Sequence, residues 1–354
     1  MILLRGNINI RIGKREYGSI KHVNIVDSLS VKKHNDVSPQ FASALAVTYL
    51  IGNTPSGFVA QQYGYSLVQS QYQFPSGIAI VFLNNGAVVN QISATASGFQ
   101  DNLTNVHTTS VTFNASDSTP SQYTFNQLAL YTTVAGSLYM LIATVTLNSP
   151  LTKSSSDVVA VTWTESITTS APFVNQPNAL LSQCQASCTG TCNLQNTLSS
   201  YDVATCPGSF VNALWTLLIV PNVCTLLGNS PLSCYLSNFC KSPPAVFSSA
   251  LIEAVLLDAC GNAVGQYQPF SGFAGSELSE GANNIYLAYN FYANTTGVPA
   301  YVILLNTFGG AGAVFLSAGY KISGTTVQGL NQIGLALKVP YGKTTLQSLN
   351  TSQG

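Results

Sequence analysis

The sequence predicts an all-β protein of two tandem β-sandwich domains of jelly-roll type, joined by a disulfide-stapled linker. Three observations carry this. Short alternating segments are separated by turn residues, strand-like segments recur 175 to 176 residues apart, and all eight cysteines fall between Cys184 and Cys260. At 354 residues the chain suits two domains with connections, since domains usually run to roughly 100–150 residues.

The strand reading rests on a period of two. In VVAVTWTESI, Val159, Val161, Trp163 and Ile167 share one side of an extended chain, and Thr162, Thr164 and Ser166 share the other. SLYMLIATVTL is apolar on both sides and reads as an interior strand. Asn85-Gly86, between IAIVFLN and AVVNQI, marks a hairpin, because glycine accepts the positive φ of a tight primed turn. Ala135-Gly136 and the run from Gly309 to Gly312 mark further turns. Few segments anywhere have the length and stripe of an amphipathic helix.

The repeat appears when the halves are compared. IAIVFLNNGAVV matches IEAVLLDACGNAVG, which places Gly86 and Gly261 175 residues apart. LALYTTVAGSLYMLIATVTL matches VILLNTFGGAGAVFLSAGYKI at the same offset, Tyr139, Leu141, Ala143, Val145 and Leu147 answering Val314, Leu316, Ala318, Tyr320 and Ile322. VVAVTW matches IGLALKV at 176, with Val159, Val161 and Trp163 answering Leu335, Leu337 and Val339. The expected organisation is a basic N-terminal arm at 1–40, a first sandwich at 41–170, a Cys-rich linker at 171–210, a second sandwich at 211–342 and a polar tail at 343–354. An immunoglobulin-like topology would look much the same.

Charged residues are 7% of the chain, against about 25% in ordinary soluble proteins. Ser, Thr, Asn, Gln and Tyr take their place, and such a surface hydrates without titrating. With every carboxylate protonated the chain carries about 15 positive charges, where an average composition gives roughly 40. Acid-driven self-repulsion is therefore mild, which suits an acidic exterior. The remaining charge is uneven. Arg5, Arg11, Lys14, Arg15, Lys21, Lys32 and Lys33, set against Glu16, Asp27 and Asp36, give the first forty residues seven basic and three acidic groups, a net +4. Such an arm is either solvated or docked on an acidic partner. Tyr17 is its one aromatic residue and no interleaved pattern supports base recognition, so nucleic-acid recognition is not expected.

Cys184, Cys188, Cys192, Cys206, Cys224, Cys234, Cys240 and Cys260 are even in number and local. A thiolate metal site is the competing reading, but no histidine is near and the C-x3-C-x3-C spacing is not that of a zinc knuckle. Disulfides are expected, without a readable connectivity. The start MILLRGNINIRIGKREYG lacks a signal-peptide apolar region. VNALWTLLIVPNVCTLLG is interrupted by Asn212, Pro221 and Asn222, so no membrane span is expected.

Groups for catalysis are scarce. His22 and His34 lie in the basic arm, and His107 falls in the polar stretch NLTNVHTTS, read as a loop. A carboxylate pair among Asp101, Asp117, Asp157, Glu165, Asp202, Glu253, Asp258, Glu277 and Glu280 would form only in the fold. FGGAGA lacks the Gly-Lys-Ser/Thr ending of a phosphate loop. No enzyme activity and no cofactor are expected. Asn102, Asn114, Asn294 and Asn350 begin Asn-x-Ser/Thr sites, the first three read as loops.

The run FNQLALYTTVAGSLYMLIATVTLNSPLTKSSSDVVAVTWTESIT resembles the final strands of jelly-roll domains in viral vertex and tail-associated proteins. With the duplication, neutral surface and cysteine cluster, the whole resembles the turret (five-fold vertex) proteins of Sulfolobus turreted icosahedral virus, among viral jelly-roll structural proteins. That resemblance implies a virion capsid protein, a pentamer contacting other capsid proteins, with outer parts placed for a host surface receptor or glycan. The rival readings are an archaeal adhesin or thread subunit and a carbohydrate-binding module.

Overall fold

In a computed structural model of the chain, the alternating segments of the first half become nine antiparallel strands. They are β1 (Ile2–Arg15), β2 (Ile25–His34), β3 (Asp36–Val37), β4 (Gly77–Asn84), β5 (Ala87–Asn102), β6 (Val106–Asp117), β7 (Tyr123–Val134), β8 (Ser137–Lys153) and β9 (Asp157–Ser170). The structure describes residues 2–15, 25–38, 41, 45, 74–102, 106–170, 177–204, 206–225, 230–241, 251–266, 278–281, 284–295, 298–307, 313–321 and 329–340.

The strand order is β2-β1-β9-β6-β5-β4-β7-β8-β3. β5 carries the sheet round a corner. Its first half pairs β4 and its second half pairs β6, with a bulge between Ala96 and Phe99 that bends the strand. β4, β5 and β6 form a meander and β7 returns beside β4, the Greek-key winding on which jelly-roll-type sandwiches are built. β2 and β3 are one run of chain bent at Asn35, pairing β1 on one side and β8 on the other, so the two ends of the sheet nearly meet. Across this seam the Asn35 N–H donates to Gly6 O at 3.2 Å and the Ser38 N–H to Ile142 O at 2.7 Å. Lys33 Nζ donates to Thr146 O at 3.0 Å and to Asn148 Oδ1 at 2.5 Å, both on β8.

Within the stretch expected as a basic arm, the described residues 2–15 and 25–37 form strands of this sheet. Leu4, Ile8, Ile10 and Ile12 are buried in the core, while Arg5 and Arg11 between them are exposed. β1 pairs β9 from Ile2↔Thr169 to Lys14↔Asp157. Arg5 and Arg11 of that charged stretch stand on the solvent side of a half-buried strand. Elsewhere the alternation held: Val159, Val161, Trp163 and Ile167 are buried. Asn85 and Gly86 (φ 51° and 82°) and Ala135 and Gly136 (φ 49° and 80°) form the primed turns. The turn expected from Gly309 to Gly312 lies outside the described residues.

Among the described residues four α-helices follow: α1 (Pro177–Ser187), α2 (Leu194–Ser200), α3 (Phe210–Ile219) and α4 (Ser233–Phe239). Then come β10 (Leu251–Leu257), β11 (Ala263–Gln266), β12 (Leu278–Gly281), β13 (Asn284–Thr295), β14 (Tyr301–Thr307), β15 (Val314–Lys321) and β16 (Gly329–Pro340). Their order is β12-β13-β11-β10-β14-β15, with β16 also on β13. The path β16-β13-β11-β10-β14-β15 repeats β9-β6-β5-β4-β7-β8 strand for strand. The register repeats too. Gly77↔Thr133 returns as Leu251↔Thr307, and Asn114↔Thr162 as Ala288↔Ala336, each residue 174 further along. Duplication is thus a property of the pairing, not only of composition.

The repeats differ in what covers them. Val255, Leu257, Tyr301, Ile303, Leu305 and Leu316 pack on Leu180 of α1 and Leu194 and Leu198 of α2. On the opposite face Leu256, Val302 and Phe315 join the main core with α3 and α4. Phe210, Tyr235, Phe239 and Phe315 form an aromatic cluster with centroids 5.4–6.4 Å apart. Position 211, expected to open a strand-built domain, thus lies in a helix. Ser209 caps it by accepting the Asn212 N–H, and all ten residues of α3 are buried. A helix buried on every side has no solvent-facing polar stripe to betray it.

All eight cysteines are in disulfides: Cys184–Cys192, Cys188–Cys260, Cys206–Cys234 and Cys224–Cys240. Cys188–Cys260 ties the end of α1 to the β10–β11 turn. In that turn Gly261 has φ 78°, and a Cβ there would sit 2.8 Å from Leu194 of α2. The 171–210 segment expected as a stapled linker holds α1 and α2.

Candidate interaction surface

The outward sides of β1, β9, β6 and β5 form one continuous face. Register places Arg5, Asn7, Asn9 and Arg11 of β1 beside Ser166, Thr164, Thr162 and Ala160 of β9. Those in turn lie beside Ser110, Thr112, Asn114 and Ser116 of β6. Gln100 and Thr95 of β5 complete the rows at Ser110 and Asn114. Hydroxyls meet across strands, Thr108 to Thr168 at 3.1 Å and Thr112 to Thr164 at 3.0 Å, and Asn114 Nδ2 donates to Ser97 Oγ. These pairs fix the side chains and leave lone pairs and protons facing solvent.

No carboxylate shares this face among the described residues of the four strands. Asp101, Asp117 and Glu165 lie on the inward side, and Asp157 sits at the start of β9 opposite Lys14. Arg5 and Arg11 are exposed, as is Lys14. Of the other basic residues singled out, Lys33 is occupied at the seam, Arg15 and Lys32 lie on β1 and β2 with side chains outside the described set, and Lys21 is outside the described residues. Asn102 and Asn114 are both exposed on this face. They lie in strands, not in the loops expected for them. Asn294 is likewise on β13, its side chain outside the described set, and Asn350 is outside the described residues.

Inward, two polar clusters hold the acids. At one end His107 is fully buried in β6, contrary to its reading as a loop histidine. Its Nε2 lies 2.6 Å from Asp101 Oδ1, which also accepts from Thr109 Oγ1 at 2.7 Å, while Asp101 Oδ2 accepts from Ser230 Oγ at 3.1 Å. Asn212 of α3 donates to Thr109 Oγ1 at 2.9 Å and accepts from Thr169 Oγ1 at 3.1 Å, locking the helix onto the first sandwich. At the other end the Tyr123 hydroxyl donates to Asp117 Oδ2 at 2.8 Å, and the buried Lys153 donates to Ser121 O at 2.8 Å. Burial raises the Asp117 pKa, but the hydrogen bonds of Thr119 and Tyr123 and the charge of Lys153 outweigh it, leaving the carboxyl below its usual range. Asp157 is also lowered, chiefly by Ser154.

Fold and face together define a class: a duplicated, disulfide-braced β-protein with a neutral exterior. The chain is similar along its length to Uncharacterized protein 53 of Sulfolobus islandicus filamentous virus (isolate Iceland/Hveragerdi), at 26% identity over 359 residues, covering 99% of this chain and 97% of that one. It is also similar to Uncharacterized protein ORF246 of Acidianus filamentous virus 2 (isolate Italy/Pozzuoli), at 30% identity over 134 residues, 38% of this chain and 51% of the relative. No family matches the chain, and no solved structure does. Its homologues are proteins of archaeal filamentous viruses, so the resemblance to viral proteins stands at that level. Nothing in these relatives points to an icosahedral turret.

Proposed function

We propose that the chain is a non-enzymatic structural protein exposed on an archaeal virion, and that its outward sheet face contacts an acidic glycan of the host surface. The observation that supports this reading is the four-strand face itself, which lacks carboxylates and carries rows of hydroxyls and amides with Arg5 and Arg11 among them. Hydroxyl and amide ladders suit a hydroxyl-rich sugar chain, and the two guanidiniums suit its carboxylate or sulfate groups. So few charges and no interleaved aromatic side chain make a poor match for nucleic acid. A five-fold vertex is a feature of icosahedral shells, so the filamentous relatives favour placement on the particle surface without that symmetry.

The test is binding of the intact protein to immobilised alginate and dextran sulfate, with neutral dextran and duplex DNA as controls. Binding to the acidic polysaccharides is expected, weakening with salt, and a double Arg5→Ala, Arg11→Ala substitution should reduce it about five- to thirtyfold, on the order of 1–2 kcal/mol. Equal binding by the double variant, or preference for DNA, would refute the assignment of this face. Antibody labelling of purified virions separately checks location. Label confined to host cytosol would remove the virion role.

A further inference from the structure

Glu165 is a buried acid of the first sandwich, and its surroundings are unusual for a carboxylate. It faces inward from β9 at the same parity as Trp163 and Ile167 and is 3% exposed. β1 meets it in register with Gly6, and β6 meets it with Val111. From its own strand the Trp163 indole N–H donates to Glu165 Oε1 at 2.7 Å, and from the β2–β3 bend the Asn35 amide nitrogen donates to the same oxygen. None of these four neighbours is charged. Lys33, two residues from Asn35, is committed to Thr146 and Asn148 on β8, and Asp36 lies half-buried on β3. A buried carboxylate without a counter-charge would cost several kcal/mol.

The second observation is on the partner. Asn35 Oδ1 is buried and has no hydrogen-bond partner. A buried amide oxygen of this kind calls for an explanation. A protonated carboxyl supplies it, because a neutral acid has both an accepting carbonyl and a donating hydroxyl. A Cβ on Gly6 would overlap the Asn35 amide, so this position must stay small for the side chain to reach β9.

We propose that Glu165 is held as the neutral acid and forms a cyclic acid–amide pair with Asn35, a latch that closes the seam between the two ends of the first sheet. The carbonyl oxygen of Glu165 accepts the Asn35 N–H and the hydroxyl of Glu165 donates to Asn35 Oδ1. Removing the proton takes away that donor and sets two acceptors against each other at the bend where β2 becomes β3. The latch therefore holds in acidic and neutral water and releases in alkali. Burial supports this independently, pushing the Glu165 carboxyl up to about 8 against the lowering effect of Trp163 and Asn35.

The sign follows from proton linkage. A carboxyl raised from 4.5 to about 8 on folding contributes stability that is whole below pH 4.5 and lost progressively as pH rises to about 8. Asp117 and Asp157, held low, act in the opposite sense and only at the acid end. The experiment is thermal unfolding of the full chain and of Glu165→Gln between pH 4.5 and 9. Glutamine offers the same donor and acceptor as the neutral acid but cannot ionise. The midpoint of the unsubstituted protein should fall by on the order of 10 °C more than that of the variant across this range. In infrared spectra near pH 6.5 the unsubstituted protein should show a protonated-carboxyl carbonyl band that the variant lacks. Parallel pH profiles without that band would overturn the latch, as would failure of Glu165→Gln to fold, since the amide reproduces every bond proposed.

Discussion

Replacing Cys188 and Cys260 together by serine is expected to lower stability by about 4 kcal/mol, more than loss of any other disulfide. The bond spans 72 residues, against 28 for Cys206–Cys234, 16 for Cys224–Cys240 and 8 for Cys184–Cys192. In the chain-entropy picture the unfolded state gains most freedom when the longest loop is released, and the 8-residue loop gives only about 2.5 kcal/mol. Structure adds a local reason. Cys260 sits in the β10–β11 turn, where the Asn193 N–H donates to Cys260 O at 2.8 Å and Thr197 Oγ1 donates to Gly261 O at 2.6 Å. Freed of the bond, α1 and α2 hold one face of the second sheet by packing and these few hydrogen bonds. Hydrogen exchange should therefore speed up first in α2, β10 and β11, with β4 to β9 still protected. An equal loss in a Cys184→Ser, Cys192→Ser protein would contradict this ranking.

Trp215→Ala is expected to cost about 3–5 kcal/mol and to weaken both units at once. Trp215 is 1% exposed in α3, a helix whose Asn212 bonds to β6 and β9 and whose Phe210 packs on Phe315 of β15. The main core runs without a break from Leu4 and Trp163 through α3 to Leu256 and Phe315. A cavity there removes contacts from both sides, and surrounding side chains relax only partly into it. Calorimetry should show the loss, and amide exchange should show it shared between β6, β9 and β15. A loss confined to β10–β16 would mean that α3 belongs to the second unit alone.

Legibility in the sequence varied by element for physical reasons. The β9 alternation was readable because a half-buried strand writes its two faces in alternate letters, and it placed Trp163 inward and Thr162, Thr164 and Ser166 outward, as found. The same parity implies an inward Glu165, one of nine acids whose partners form only in the fold. β1 carried its pattern too, with Leu4, Ile8, Ile10 and Ile12 every second or fourth residue, but the basic residues between them dominated the reading as an arm. α3 was not legible, because ten residues that are all buried show no periodicity that separates helix from interior strand.

The sequence by itself determined the all-β class, the duplication at a spacing within two residues of the observed register, the primed turns at Asn85-Gly86 and Ala135-Gly136, and the neutral exterior. These are local or statistical properties, set by neighbouring residues and by composition. Only the tertiary structure decided that β1, β2 and β3 close the first sheet, that helices and disulfides brace the second, and that Asn35 meets Glu165 across 130 positions. Partners so distant are selected by packing and hydrogen-bond geometry in the assembled core, which no short window of sequence contains.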